Sequence, residues 1–327
     1  MLEIAADRLE GLVPPERRTI CTAEAYRDQI VAMLPDFRGD RILGEPCMRD
    51  TANAVGLAAA VFSEQDPDAV FAVLTADQLI EPRETCLRAM ELGYALVEAD
   101  PRRFVTFGIT PTEPATGYGY IETGEPMQGD TTGLAFHIAR FVEKPDADRA
   151  RRYLESGRFL WNAGMFVFHA QTFLDRLAVH LPESAEGLMR IKSAWATPDR
   201  RSVLEAVYPT LPKISVDYAL MEPAAEDPEV ELCGVRMDTA WLDVGSWPSF
   251  GRTLDPDAGG NRVSGADVAL HASTGNIVVS DDPAHTIALV GCEDLVVVRT
   301  DAATLVMPIE RAQELKSMHA SLPERLR

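Results

Sequence analysis

Residues 70–78 read Val-Phe-Ala-Val-Leu-Thr-Ala-Asp-Gln, an apolar run of strand length that ends in a polar turn. The pair Glu81-Pro82 follows and opens a helical pattern that continues to about Glu98. A strand without a polar face is buried on both sides, which is typical of a sheet covered by helices on both faces. This stretch therefore predicts an α/β fold.

The same alternation of strand and helix extends to both sides of this stretch. Apolar runs of strand length predict further strands at Arg18–Thr22, Arg41–Leu43, Phe104–Ile109, Ala135–Val142 and Met165–His169. Amphipathic spacing predicts helices at Ala23–Met33, Thr51–Ser63, Ala147–Ser156, Thr172–His180 and Glu183–Ala194. We expect these elements to form a doubly wound, mostly parallel sheet in one α/β domain, residues 1–254.

The composition changes after the turn-rich residues Asp255–Gly260. Short β-like runs then recur between turn residues, at Val268–His271, Asn276–Val279, Thr286–Val290, Leu295–Thr300 and Thr304–Met307. A helix is predicted from about Ile309. We therefore predict a small β-rich domain over residues 255–327 that ends in a helix, a size within the usual range for domains.

The charge balance argues against polyanion binding as the main activity. The 327 residues include 31 Lys and Arg and 51 Asp and Glu, a net charge of −20, which repels nucleic acid and anionic lipid. No apolar run is long enough to span a bilayer, and the N-terminus lacks the apolar core of a secretory signal. The five cysteines stand singly, which favours reduced thiols over zinc or disulfide frameworks. We therefore predict a cytoplasmic protein with no nucleic-acid or membrane partner.

Several well-known catalytic motifs are absent from the sequence. It contains neither the Gly-x-Gly-x-x-Gly loop of dinucleotide-binding proteins nor the P-loop of many nucleoside triphosphatases. It also lacks the His-Glu-x-x-His zinc motif and the Gly-x-Ser-x-Gly elbow of hydrolases. These classes of site are not supported.

Two aspartates are candidate ligands of a divalent cation. Asp77 follows an apolar strand, at the edge of a parallel sheet where ligands bind. Asp243 lies between two tryptophans in the segment Trp241–Trp247. Mg²⁺ is bound by one or two carboxylates together with phosphate oxygens of a substrate. The position of Asp77 alone favours a helix-capping or turn aspartate, and Asp243 taken alone is explained equally well as a structural turn residue.

Four further residues are candidates for binding a polar ligand. Glu143 and Lys144 end an apolar strand, where they could bind hydroxyls and phosphate or form an ordinary surface ion pair. Asn162 could bind a hydroxyl or complete a turn. Gly119, in the run Gly-Tyr-Gly-Tyr, could bring backbone N–H groups close to a ligand.

Seven segments, taken in order, resemble the sugar-nucleotide pyrophosphorylases, and among them the mannose-1-phosphate guanylyltransferases. The segments are Glu45–Ala52, Leu74–Gln78, Gly117–Ile121, Phe141–Pro145, Phe159–Phe166, Ile214–Glu222 and Trp241–Trp247. They extend along most of the chain, and their order makes the match specific.

The resemblance implies a transfer reaction between two phosphate compounds. The phosphate of mannose 1-phosphate would attack the α-phosphorus of GTP in line, releasing pyrophosphate and GDP-mannose. By matching motif, the catalytic residues would be Asp77, Asp243 and Lys144. The two aspartates would hold Mg²⁺ or another divalent cation, and Lys144 would neutralise the sugar phosphate.

The resemblance also implies how the sugar would be bound. The hydroxyls of mannose would contact Glu143, Asn162 and the backbone of Gly119. The partners would then be GTP and mannose 1-phosphate, and the sequence leaves a homo-oligomer open. The alternatives are a transferase for another nucleotide or sugar 1-phosphate, and a non-catalytic relative that binds sugar phosphate.

The sequence departs from the family pattern at two motifs. Residues 75–78 read Thr-Ala-Asp-Gln where the family usually has Pro-Ala-Asp-His. Residues 49–53 read Arg-Asp-Thr-Ala-Asn in place of Arg-Asn-Thr-Ala-Pro. The metal-type Asp77 is kept, whereas the neighbours on the nucleotide side differ.

The largest departure concerns the start of the chain. The family's Gly-Gly-x-Gly-Thr-Arg loop would precede residue 1, and the first helical pattern, near Leu2–Leu12, has no capping residue before it. We therefore hypothesise an N-terminally short version of the enzyme, in which the first strand is missing because the start codon was misassigned. The chain as written should then show little GTP-dependent activity, and full turnover would contradict the hypothesis.

Overall fold

The computed structural model describes residues 1–319 and 321–323. The chain divides into two compact units, Met1–Ala76 with Ile80–Trp241, and Asp77–Leu79 with Leu242–Arg327. The domain limits predicted from the sequence, 1–254 and 255–327, stay a prediction, and residues 320 and 324–327 of the second domain lie outside the described residues.

The part of the chain up to residue 243 contains the α/β elements. The helices are α1 (Leu2–Asp7), α2 (Arg27–Met33), α3 (Asp50–Gln65), α4 (Arg83–Ala99), α5 (Ala147–Ser156), α6 (Ala170–His180), α7 (Pro182–Ala194), α8 (Arg200–Val207) and α9 (Glu222–Ala224). The strands are β1 (Ile20–Ala23), β2 (Ile42–Glu45), β3 (Val70–Val73), β4 (Gln78–Glu81), β5 (Arg103–Ile109), β6 (Tyr120–Pro126), β7 (Ala135–Val142), β8 (Phe159–His169), β9 (Glu231–Arg236) and β10 (Ala240–Asp243).

The central sheet has six strands in the order β3-β8-β5-β9-β7-β6, and β6 also pairs with β8. Only β5 and β9 are parallel neighbours, while β8 is antiparallel to β3, β5 and β6, and β7 is antiparallel to β9 and β6. The pairings therefore differ from the mostly parallel sheet that we expected. An apolar run indicates that a strand is buried on both faces, but it does not indicate the direction in which the strand runs. Strands β3, β5, β6 and β9 run in one direction, and β7 and β8 lie between them and run in the opposite direction.

Helices cover both faces of this sheet, as a doubly wound arrangement requires. Successive residues of β8 point to opposite faces, so Phe166 and Phe168 belong to one apolar core and Val167 belongs to the other. The first core includes buried residues of α3, α6 and α7. The second includes Met90 of α4 and Tyr153 of α5. The sheet is thus buried on both sides, which explains its continuous apolar strands.

Local signals set the ends of some elements closely. The bounds of β7 and α5 match the prediction to the residue. Helix α5 begins after Asp146, whose carboxylate accepts a hydrogen bond from the Arg149 N–H. It ends at Gly157, which has a φ of +64°, a left-handed conformation that glycine adopts without strain.

The second unit is rich in short strands. They are β11 (Arg262–Ser264), β12 (Asp267–His271), β13 (Ile277–Ser280), β14 (Thr286–Val290), β15 (Leu295–Arg299) and β16 (Thr304–Pro308), accompanied by α10 (Trp247–Arg252) and α11 (Leu315–His319). Strands β11, β13 and β15 stack in parallel, as do β12 and β14, while β16 runs antiparallel to β15. Buried Asn261 and Asn276 link successive layers, because Asn261 Oδ1 accepts from Asn276 Nδ2 at 2.9 Å.

None of the helices in the described residues combines the length and the apolar character that a membrane crossing requires.

Candidate active site

Four of the predicted site residues meet in the first unit, where strand β6 begins. Gly119 directly precedes β6, Glu143 and Lys144 follow β7, and Asn162 lies within β8. Tyr120 of β6 is paired with Val142 and with Trp161, so one step further along the antiparallel register Gly119 faces Glu143 and Asn162. The Asn162 N–H donates to Gly119 O at 2.8 Å. Strand pairing therefore brings these residues together from distant parts of the chain.

Gly119 is required here by the close approach of its neighbours. A Cβ at this position would lie 2.5 Å from Glu143 Oε2 and 3.2 Å from the Asn162 Cβ. The first distance is shorter than any normal contact, so a side chain would push the Glu143 carboxylate away. The absence of a side chain at Gly119 lets the Glu143 carboxylate lie against the backbone.

Glu143 and Lys144 form a close ion pair at the same place. The Glu143 side chain is 4% exposed and the Lys144 side chain is 54% exposed. The Lys144 ammonium donates to Glu143 Oε1. Burial opposes the charge on Lys144, but the hydrogen bond and the attraction of Glu143 outweigh it and raise the pKa of the ammonium. Lys144 is therefore a fixed positive charge with an open side.

The carboxamide of Asn162 is held at both of its polar atoms. Its Oδ1 accepts from Thr106 Oγ1 at 2.7 Å and from the Gly164 N–H at 3.1 Å. Its Nδ2 donates to Asp217 Oδ1 at 3.0 Å. A side chain oriented in this way is preorganised, because its rotamer does not have to change when a ligand arrives.

Asp217 is a site residue that the sequence analysis did not name. It begins a π-helical turn, Asp217–Met221, and a neighbouring residue, Glu222, accepts a hydrogen bond from the Glu143 N–H at 2.8 Å. Burial and the negative charge of Glu143 raise the pKa of Asp217 to about 7, against the opposing effects of Lys144 and Asn162. The signal available in the sequence was its place in a segment that resembles the family, Ile214–Glu222.

The site formed by Gly119, Glu143, Lys144, Asn162 and Asp217 is called the pocket. It combines carboxylates, one ammonium group and a fixed carboxamide. Carboxylate oxygens accept hydrogen bonds from hydroxyl groups, and an ammonium group binds phosphate as a point charge. The ring of Tyr118, next to Gly119, makes edge-to-face contacts with two tryptophans. Its centroid lies 5.1 Å from the ring centroid of Trp161 and 5.0 Å from that of Trp241. Such a set of groups suits a ligand that carries both hydroxyls and a phosphate.

The other two predicted residues, Asp77 and Asp243, belong to the second unit. They lie at the ends of the paired strands β4 and β10, where the Val244 N–H donates to Asp77 O at 2.7 Å. Asp243 Oδ1 accepts from the Gly245 N–H at 3.1 Å. Asp77 is exposed and Asp243 is half-buried. Four of the six predicted residues therefore belong to the first unit, and Asp77 and Asp243 belong to the second.

The two aspartates fit a Mg²⁺ ion that is completed by substrate oxygens. Among residues 1–319 and 321–323 no cluster of three or more His, Cys, Asp or Glu side chains is arranged to hold a metal. Mg²⁺ does not require such a cluster, because it is usually held by one or two carboxylates, water and phosphate oxygens. Two accessible carboxylates on neighbouring strands meet this description.

Two family models match the chain. Residues 39–256 match the family described as nucleotidyl transferase. Residues 265–322 match the family described as the MannoseP isomerase/GMP-like beta-helix domain. The two matches correspond to the α/β part and to the stacked short strands.

Curated relatives match almost the whole chain. The chain is 37% identical over 319 residues to proteins of Klebsiella pneumoniae and of Escherichia coli, each described as mannose-1-phosphate guanylyltransferase. The matched region covers 97% of this chain and 65% of each relative. The chain therefore spans just under two thirds of the length of these relatives.

A solved structure shares the fold. It is that of a Thermus thermophilus protein described as mannose-1-phosphate geranyltransferase, with 32% identity and a TM-score of 0.79. The likeness covers 98% of this chain and 88% of that protein. It confirms the predicted α/β fold with a C-terminal β-rich region.

Proposed function

The chain belongs to the nucleotidyl transferase family, and we propose that it is a mannose-1-phosphate guanylyltransferase. The reaction joins GTP and mannose 1-phosphate to give GDP-mannose and pyrophosphate, through attack of the sugar phosphate on the α-phosphorus. The names of the relatives support the substrates. The observation that carries the proposal is the meeting of Gly119, Glu143, Lys144 and Asn162 in one pocket.

In this proposal the pocket binds mannose 1-phosphate. Lys144 pairs with the phosphate through the open side of its ammonium group. Glu143 accepts from sugar hydroxyls, and Asn162, held by Thr106, presents a fixed carboxamide. The Lys144 charge also reduces the repulsion between the attacking phosphate and the triphosphate. These groups are in place before the ligand binds, which lowers the entropic cost of binding.

Asp77 and Asp243 are proposed to hold the divalent cation, most simply Mg²⁺. When bound, the ion supplies positive charge that neutralises phosphate oxygens as negative charge moves towards the leaving group. The protein's part is to present two carboxylates from one strand pair. This arrangement also explains how a chain with a net charge of −20 can bind a nucleotide, since the attraction is local.

We further propose that the reaction takes place in the cytoplasm. The described residues contain Cys21, Cys47, Cys86, Cys233 and Cys292 as free thiols. Free thiols persist in a reducing compartment, which supports this location. Fractionation of cells that express the protein would test it, and recovery from an oxidising compartment would contradict it.

Ligand binding to the purified chain tests the sugar side of the proposal. Calorimetry with mannose 1-phosphate, mannose, glucose 1-phosphate and inorganic phosphate separates the contributions of sugar and phosphate. We expect mannose 1-phosphate to bind more tightly than either mannose or phosphate alone. Equal binding of all four compounds would contradict the assignment of the pocket.

Turnover tests the nucleotide side. Pyrophosphate release is measured in the presence of mannose 1-phosphate with GTP, UTP, dTTP and ATP in turn. We expect a preference for GTP. A preference for UTP would remove the guanylyl assignment. Binding of sugar phosphate without turnover of any nucleotide would indicate a non-catalytic binding protein.

A further inference from the structure

The segment Tyr208–Val216, called the strap, contacts the start of helix α3. Five hydrogen bonds join the strap to residues 45–53. They are Tyr208 Oη to Glu45 Oε1 at 2.5 Å, Arg49 Nη2 to Pro209 O, Asn53 Nδ2 to Pro212 O at 2.6 Å, Ala52 N to Ile214 O at 3.2 Å, and Val216 N to Thr51 Oγ1 at 2.9 Å.

The first turn of α3 has physical reasons to hold the strap. The first N–H groups of a helix have no partner within the helix. The Ala52 N–H finds one in the carbonyl of Ile214. The Asn53 side chain, which is fully buried, donates to Pro212 O and to Arg49 O. These hydrogen bonds join the two segments, so neither segment moves without breaking them.

The strap leads directly into the pocket. Val216 is followed by Asp217, whose Oδ1 accepts a hydrogen bond from Asn162. The π-helical turn that begins at Asp217 is followed directly by Glu222, whose carboxylate accepts from the Glu143 N–H. Two of the carboxylates of the pocket therefore follow a backbone that the first turn of α3 holds. Val216 is 2% exposed, so its N–H has no access to solvent.

We propose that Thr51 is a positioning residue: through its bond to the Val216 N–H it sets where the strap places Asp217 in the sugar-phosphate pocket. The proposal rests on the proposed function of that pocket. Thr51 acts through the backbone of the strap and carries no charge into the pocket. Its side chain is exposed, so the protein does not depend on it for core packing.

The physical argument concerns a buried donor. Replacing Thr51 by Val removes the Oγ1 acceptor with little change in shape and leaves the Val216 N–H unpaired. The backbone at Val216 then shifts to find another acceptor, and the carboxylate of the next residue, Asp217, shifts with it. Asp217 loses part of its burial and its fixed distance from the charges of Glu143 and Lys144.

The experiment compares three variants of the full chain with the parent. Thr51→Val removes the acceptor, and Thr51→Ser keeps it. Thr210→Val is the matched control, because Thr210 is also exposed and lies in the strap but its hydroxyl donates only locally, to Val207 O at 2.7 Å. Two properties are measured: the affinity for mannose 1-phosphate by calorimetry, and the titration of the Asp217 carboxyl by carbon NMR, assigned with Asp217→Asn.

We expect Thr51→Val to weaken mannose 1-phosphate binding by about tenfold and to lower the midpoint of the Asp217 titration by about half a pH unit or more. Thr51→Ser and Thr210→Val should behave like the parent. The NMR titration needs no ligand, so it tests the proposal even if the parent fails to bind the sugar phosphate, a failure that would overturn the proposed function alone. An unchanged Asp217 titration in Thr51→Val, or an equal change in Thr210→Val, would overturn the positioning role.

Discussion

The pocket around Asn162 and the Asp77–Asp243 pair are built in opposite ways. In the pocket, Glu143 is almost fully buried and Asn162 is held by three other residues. In the aspartate pair, Asp77 is exposed and the strands are joined through the backbone. Buried polar groups must be satisfied within the protein, whereas an exposed carboxylate such as that of Asp77 can be hydrated.

This contrast separates two ways of contributing to a reaction. Hydrogen bonds within the protein hold the side chains of the pocket in place, so substitutions there should disturb both ligand binding and folding. The aspartate pair carries charge without much packing, so substitutions there should affect the reaction and leave stability almost unchanged. The four predictions that follow test this difference.

Asp77→Asn and Asp243→Asn should each reduce turnover of GTP and mannose 1-phosphate by about 100-fold or more. Removal of a carboxylate weakens the hold on the cation, while the amide keeps the size of the side chain. The rate should recover in part at higher Mg²⁺ concentrations. Urea unfolding should give nearly the parent free energy, because Asp77 is exposed and Asp243 is half-buried. A large loss of stability would contradict the contrast between the two regions.

Gly119→Ala should weaken mannose 1-phosphate binding by about 30-fold. The new Cβ would lie only 2.5 Å from Glu143 Oε2, so the Glu143 carboxylate has to move. The substitution should also lower the melting temperature. Gly117→Ala provides the control in the same turn, since a Cβ there meets nothing within 4 Å. Calorimetry and thermal unfolding measure the two effects. Similar affinities for the two variants would show that the pocket is not as tightly built as the structure indicates.

Lys144→Met should weaken binding of mannose 1-phosphate by about tenfold and leave binding of mannose itself almost unchanged. The side chain is 54% exposed, so the loss is smaller than that of a buried ion pair. Lys192→Met is the control, because Lys192 donates to Gln171 Oε1 at 3.1 Å, outside the pocket. Equal losses for the phosphorylated and the unphosphorylated sugar would mean that Lys144 does not bind the phosphate.

The smallest effect is expected from the proton on Asp217. Its pKa is about 7 in the folded protein and near 3.8 as an ordinary carboxyl, so between these values the unfolded chain releases a proton that the folded chain keeps. The free energy of unfolding should therefore fall as the pH rises from about 4 to 7, and level off above pH 7.

Asp217→Asn removes this titration and keeps an oxygen that can accept from Asn162. The variant should gain stability relative to the parent as the pH rises from about 6 to 8, by on the order of 1 kcal/mol. Urea unfolding at several pH values measures the difference. Parallel pH profiles for parent and variant would show that Asp217 titrates in its ordinary range.

Motifs in the sequence identified some of the candidate site residues but not all of them. Six residues were predicted from motifs, and their assigned roles remain predictions. Asp217 was not named, because the cause of its raised pKa is burial beside Glu143, a residue 74 positions earlier in the chain. No strand was predicted at the Gly-Tyr-Gly-Tyr run of residues 117–120, although its last residue, Tyr120, begins β6. Its role as a strand depends on β7 and β8, which supply its hydrogen bonds.

The sequence by itself indicated many of the helices and strands and where several of them end, but not β4, β6, β9 or α8. Apolar periodicity, capping side chains and glycines act within a few residues, as the matching bounds of α5 illustrate. The family resemblance added the candidate residues. The tertiary structure determined the direction of β7 and β8, the grouping of the six residues as four and two, and the proton on Asp217. These features arise from hydrogen bonds and burial between residues far apart in the chain, such as Asn162 and Asp217, which no local pattern encodes.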